Sequence, residues 1–116
     1  MIKKLTILLL IGFLILQFFG PELPEVINKN PKDLITNNPD IPEDIKTILQ
    51  VSCYDCHSNE TTYPWYSNIA PVSFLVARDI NHARDDLNFS NWEDMNKLDK
   101  ASALDEITDV IIDDEM

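Results

Sequence analysis

Residues 53–57 read Cys-Tyr-Asp-Cys-His, the one place in the chain where nucleophilic and metal-binding side chains crowd together. Two thiols three positions apart on one helical turn can each add across a vinyl group of the same haem, and the imidazole of the next residue then reaches the iron. Three other readings of Cys53, Cys56 and His57 compete. A thioredoxin-like redox pair belongs at the start of a helix in a βαβ setting, yet here the motif follows a helix and no strand signal surrounds it. Structural zinc needs four ligands, and the chain offers only Cys53, Cys56, His57 and His82, with Cys56 and His57 adjacent and awkward to place on one tetrahedron. Inert structural thiols leave the histidine unexplained and would tend to oxidise outside the cytoplasm. Haem attachment is the reading that uses all three side chains without asking for a fourth ligand on one tetrahedron.

The elements that must position them are helical. Asp40 is the expected N-cap of a helix beginning near Pro42, with Glu43 and Asp44 in its first turn and Ile45, Ile48, Leu49 and Ser52 along one face. A second helix is expected from Pro71 to Leu87, with Val72, Val76, Ile80, Ala83 and Leu87 at spacings of three and four and His82 at the edge of that stripe or outside it. Ser90-Asn-Trp-Glu93 reads as a capping box opening a third helix, and Leu98 to Asp113 as a fourth that buries Leu104, Ile107, Val110 and Ile111. Between the first two lies an irregular loop, Ser58 to Ala70, whose Tyr63, Pro64, Trp65 and Tyr66 are expected either to wall an apolar haem face or to pack in the core. The fold class is therefore all-α, a small cytochrome c-like domain with a long aromatic loop behind an N-terminal anchor helix.

The chain has 116 residues, enough for one small domain. Residues 1–20 hold two lysines, 14 hydrophobic residues and no acid, whereas residues 21–116 hold 7 basic and 20 acidic side chains, a formal charge of −13. Such a field repels nucleic acid and points to a neutral ligand or a basic partner surface. Lys3 and Lys4 precede an apolar run, Leu5 to Phe19, which reads as an export signal; with no small-x-small cleavage site before Pro21, an uncleaved anchor is favoured over a cleaved signal and a soluble periplasmic product. Positive-inside orientation then puts residues 21–116 outside the cytoplasmic membrane, in the periplasm, where haem is attached covalently in bacteria. Residues 21–40, rich in Pro and Asn, are expected to be an extended linker, and residues 41–116 the haem-binding domain.

Three segments carry a family resemblance: Cys53-Tyr-Asp-Cys-His-Ser-Asn59, Thr62-Tyr-Pro-Trp-Tyr-Ser-Asn-Ile-Ala-Pro-Val-Ser73 and Leu87-Asn-Phe-Ser-Asn-Trp92. Together they resemble the small haem-binding domain family of Bacteroidetes-type bacteria, over roughly Pro42 to Met116, with the lysine-led anchor as a further shared feature. The resemblance implies one covalently attached haem c, with Cys53 and Cys56 as thioether attachments and His57 as the proximal iron ligand. The family pattern runs from an acidic helix into Glu-Met-Pro and one more helix, whereas this sequence stops at Glu115-Met116; the expectation is either a sequence truncated before that helix or a short member of the family. Met116, at the place of the family's methionine, is the expected sixth ligand, with His82 and Met95 as rivals. The expected function is single-haem electron transfer by a membrane-tethered protein with a basic-surfaced redox partner. The alternative is a haem peroxidase or gas-sensing domain, which needs a distal acid-base group or an open sixth position, and His82 is the only distal histidine.

Overall fold

Leu5 to Phe19 has no polar face, so its first helix has nothing to turn toward water and buries nothing in the rest of the protein. In the computed structural model, which describes residues 1–115, α1 covers Ile2–Leu16 and a 3-10 turn continues it through Gln17–Phe19. The two form an 18-residue apolar rod, long and apolar enough to cross a membrane, as a signal sequence also would be. At 1.5 Å per residue the rod is roughly 27 Å long, close to a hydrocarbon core of about 30 Å.

Five further helices follow: α2 (Leu34–Asn37), α3 (Glu43–Ser52), α4 (Tyr54–His57), α5 (Val72–Asp86) and α6 (Lys97–Ile112), with 3-10 turns at Trp65–Asn68 and Phe89–Asp94. No strand occurs among the described residues. The core is an aromatic stack. Tyr54 lies on Phe89 at a centroid distance of 5.3 Å and 14° between planes, and Phe89 meets Trp92 at 6.3 Å and 45°. Leu34 completes this buried cluster, and Leu49, Leu87, Met95 and Ile107 pack around it.

Several expectations are corrected. Residues 21–40 are mostly extended, but they are fastened along the body rather than free. Ile27 N donates to Asn59 O (2.7 Å), Tyr63 Oη to Pro24 O (2.8 Å), and Glu93 N to Lys32 O (3.0 Å). Asp33 caps α2 by accepting from the backbone N–H groups of Ile35 and Thr36, and its other oxygen takes the phenol of Tyr54 at 3.0 Å. Pro42, not Asp40, sits at the N-cap of α3, with no side-chain capping bond. Ile45 and Ile48 are exposed, while Leu49 reaches the core.

The buried face of α5 is Ser73, Ala77 and Ile80, so the expected stripe is rotated and only Ile80 of it is fully buried. Small side chains let this helix approach its neighbours closely, and serine disguises that face as polar. The segment at Ser90 is a 3-10 turn, not a capped helix: Asn88 accepts from Ser90 N, and the Ser90 hydroxyl instead accepts from Asn59 N at 2.9 Å. α6 lies within a residue of its expected span and is capped by Asn96. It contains no fully buried residue; Ile107 and Val110 are half-buried, and Leu104 and Ile111 are exposed.

Candidate functional site

Cys53 ends α3 and precedes α4, with a backbone (φ −119°, ψ −38°) that kinks one helix into the other. Its carbonyl accepts from Cys56 N (3.2 Å) and His57 N (2.9 Å), so the motif is a single turn of helix. Asp55 ties that turn to the following loop: its carboxylate accepts from Thr62 N at 2.8 Å, and its carbonyl from the Thr61 hydroxyl at 2.7 Å. Arg84, in the last turn of α5, clamps the same region. Its guanidinium donates to Ser58 O (2.8 Å), the Thr61 hydroxyl (2.9 Å) and Glu25 O (2.9 Å).

The decisive contact is at His57. α5 ends at Leu87, whose backbone turns extended (φ −154°, ψ 126°), and the Leu87 carbonyl lies 3.0 Å from His57 Nδ1. A carbonyl only accepts, so Nδ1 carries the proton and the lone pair is on Nε2, the tautomer a metal-ligating imidazole needs. Phe89 flanks the ring at a centroid distance of 6.2 Å. His57 and Cys53 open onto a cleft of about 420 Å³ between the body and α6, within the range of small-molecule sites. On the body side its wall includes Leu87, Phe89 and Met95; across from them α6 presents Ala103, Ile107 and Val110, spaced four and three apart on one face. Asp86, Asp99, Glu106 and Glu115 add acidic groups, and no Lys or Arg lines the cleft among the described residues.

Burial pushes the Cys53 pKa up, with the neighbouring Cys56 adding to it; burial does the same at Cys56, with Asp55 and Asp79 adding to it. That direction is opposite to a redox-active pair's, and the motif follows a helix with no strand among the described residues, neither of which is a thioredoxin-like setting. Among the described residues no three His, Cys, Asp or Glu side chains gather as a structural zinc site would need. Cys53 and the free imidazole nitrogen share the cleft, while Cys56, also a free thiol, is exposed on the same helical turn and does not line it; the set suits haem.

The match to a family model now decides the class: the haem-binding domain model covers residues 11–116. The chain belongs to the haem-binding domain family. No curated protein and no solved structure matches it significantly.

Other expected site residues of this haem-binding domain lie elsewhere. Tyr63, Pro64, Trp65 and Tyr66 do not line the cleft; Tyr63 is half-buried on the 21–40 segment, and Trp65 is 81% exposed. The loop turns away from His57 because Thr61 is held by Asp55 and Arg84. His82 is exposed on α5 and away from the cleft, while Met95 lines it. Met116 lies outside the described residues. Sequence reading missed Arg84, Asp33 and the Leu87 carbonyl. Only the first two carry a side-chain signal, a basic residue in the last turn of a helix and an Asp before a short apolar run.

Proposed function

We propose that this haem-binding domain is a c-type, single-haem electron carrier tethered to the outer face of the cytoplasmic membrane by α1. The observation that carries the reading is the His57 Nδ1 to Leu87 carbonyl bond, which leaves Nε2 free at a cleft shared with Cys53. In this reading Cys53 and Cys56 form the thioethers and His57 is the proximal ligand. Bound haem supplies a one-electron iron couple. The protein's part is to fix the imidazole through Leu87, to flank it with Phe89, and to keep water off one face with Ala103, Ile107 and Val110 of α6.

Met116 is proposed as the sixth ligand on its place in the sequence, after the acidic end of α6. Lys3 and Lys4 support an inward N-terminus and a periplasmic domain. The −13 charge of residues 21–116 supports a redox partner with a basic docking surface. Expression with a cytochrome c maturation system is expected to give protein that keeps peroxidase-stainable haem through denaturing electrophoresis, with Cys53→Ser/Cys56→Ser losing it. A double variant that still stains overturns covalent attachment. A reversible one-electron titration without peroxide turnover separates the carrier from a peroxidase.

A further inference from the structure

Thr61 to Ala77 is a run of 17 residues without a single charged side chain, in a chain that is 25% charged. A second uncharged run, Leu5 to Pro21, makes up most of α1 and its exit. The fold pins these two runs together. The Gln17 side chain meets the backbone of Ala70 twice, Oε1 accepting from Ala70 N at 2.9 Å and Nε2 donating to Ala70 O at 3.2 Å. Three residues on, Gly20 lies beside the start of α5, where a Cβ would be in ordinary contact with the Ser73 hydroxyl at 3.6 Å.

What this junction displays is apolar and aromatic. Phe18 and Phe19 are 87% and 70% exposed, Trp65 is 81% exposed, and Tyr66, Phe74 and Leu75 are exposed as well. Trp65 and Tyr66 support one another edge to face at 5.6 Å. Left in water, this is a costly surface for a small domain, and aromatic rings with polar edges favour the headgroup level of a bilayer. A rod of roughly 27 Å is slightly short for the hydrocarbon core, which draws its exit and whatever is bonded to it toward the interface.

We infer that the aromatic loop is a membrane-docking surface: Trp65, Tyr66 and Phe74, pinned to the end of α1 through Gln17 and Ala70, insert into the interfacial layer of the bilayer that α1 spans. The occupant is lipid, since the patch is continuous with the spanning helix and lacks the charges that cover the rest of the domain. The body is thereby seated on the membrane in one orientation instead of swinging on a linker, and the aromatic loop serves the bilayer while the cleft serves the haem. This inference rests on the tethered reading of α1.

The test uses the full-length, haem-loaded chain in phosphatidylcholine nanodiscs. Its native cysteines are occupied by thioether bonds, so Trp65→Cys, Tyr66→Cys and, as an α6 control, Asp105→Cys each accept one nitroxide label, and the unsubstituted chain accepts none. Relaxation by oxygen, which partitions into lipid, is compared with relaxation by a water-soluble nickel chelate. The oxygen-to-nickel accessibility ratio is expected to be several-fold higher at positions 65 and 66 than at 105. A chain that remains in the nanodisc but shows the same ratio at all three positions overturns the docking surface and leaves the tether standing. A chain that does not remain with the bilayer overturns both.

Discussion

Asp33 joins three things by its side chain alone, and removing it measures whether residues 21–40 belong to the folded unit. The residue is 2% exposed. Oδ1 accepts the backbone N–H groups of Ile35 and Thr36, and Oδ2 accepts the Tyr54 phenol at 3.0 Å. Tyr54 opens the helical turn that carries Cys56 and His57, and it stacks on the same Phe89 that flanks His57. Asp33→Ala removes an N-cap, worth about 1 kcal/mol. It also leaves a buried phenol without an acceptor, at about 1–3 kcal/mol. The expected loss is about 2–4 kcal/mol, a large fraction of the roughly 5–15 kcal/mol that stabilises a small domain. In urea unfolding of the full chain, followed by far-UV circular dichroism with the haem state held fixed, that loss lowers the midpoint by roughly 1–2 M. Asp33→Asn keeps one acceptor oxygen and falls between wild type and Asp33→Ala. In the double variant with Tyr54→Phe the phenol is absent, so the two losses are expected to be non-additive by about 1 kcal/mol or more. A midpoint change in Asp33→Ala worth less than about 0.5 kcal/mol, ordinary for surface positions, refutes the reasoning and returns residues 21–40 to the status of a free tether.

The two tryptophans provide a contrast: Trp92→Ala, which empties the core beside Phe89 and removes the ring 5.8 Å beneath Lys100, is expected to cost about 3–5 kcal/mol, whereas Trp65→Ala in detergent stays within about 0.5 kcal/mol by the same unfolding assay. Burial, followed by the charge of and hydrogen bond to Asp33, pushes the Tyr54 pKa up from its model-compound value of 10.0, so in alkaline ultraviolet titration Tyr54 is expected to ionise late, and Tyr54→Phe to delete that late step. The folded state then holds a proton that the unfolded chain has released, so the contribution of Tyr54 to stability is intact below pH 10 and declines as pH rises above it. Oxidised haem-loaded protein is expected to show the weak long-wavelength sulfur-to-iron band, with Met116→Ala abolishing it and His82→Ala leaving it; loss of the band in Met95→Ala with retention in Met116→Ala assigns the sixth position to Met95 on the cleft wall.

The features readable in the sequence are those whose partners lie close along the chain. The Cys53–His57 motif occupies one helical turn, so spacing alone carries its chemistry, and α5 and α6 announce themselves by length and periodicity. The errors have physical causes. Ser73 and Ala77 are the most closely packed residues of α5, and a pattern search for large apolar residues passes over them, although the five residues it picks are all buried or half-buried. Proline and asparagine made residues 21–40 look free because their bonds go to backbone and side-chain groups distant in sequence, at Asn59, Tyr63 and Arg84. The aromatic loop was read against His57, its neighbour in sequence, although its binding partner is Gln17, 53 residues before Ala70.

The contact that decides the site was beyond sequence reading for a different reason. His57 Nδ1 pairs with a main-chain oxygen, and every residue type at position 87 would supply one. What the sequence must specify is the place where α5 stops, so that this carbonyl leaves the helical ladder and faces the imidazole. Arg84, bonded to Ser58, Thr61 and Glu25, fixes the last turn of α5 against the segment that follows His57. Asn88 then caps the next turn and donates to the Asn59 side chain at 2.8 Å. The imidazole is thus oriented by polar residues on both sides of a carbonyl that itself leaves no trace in the sequence, and those residues, rather than Leu87, are where a substitution would loosen the ligand.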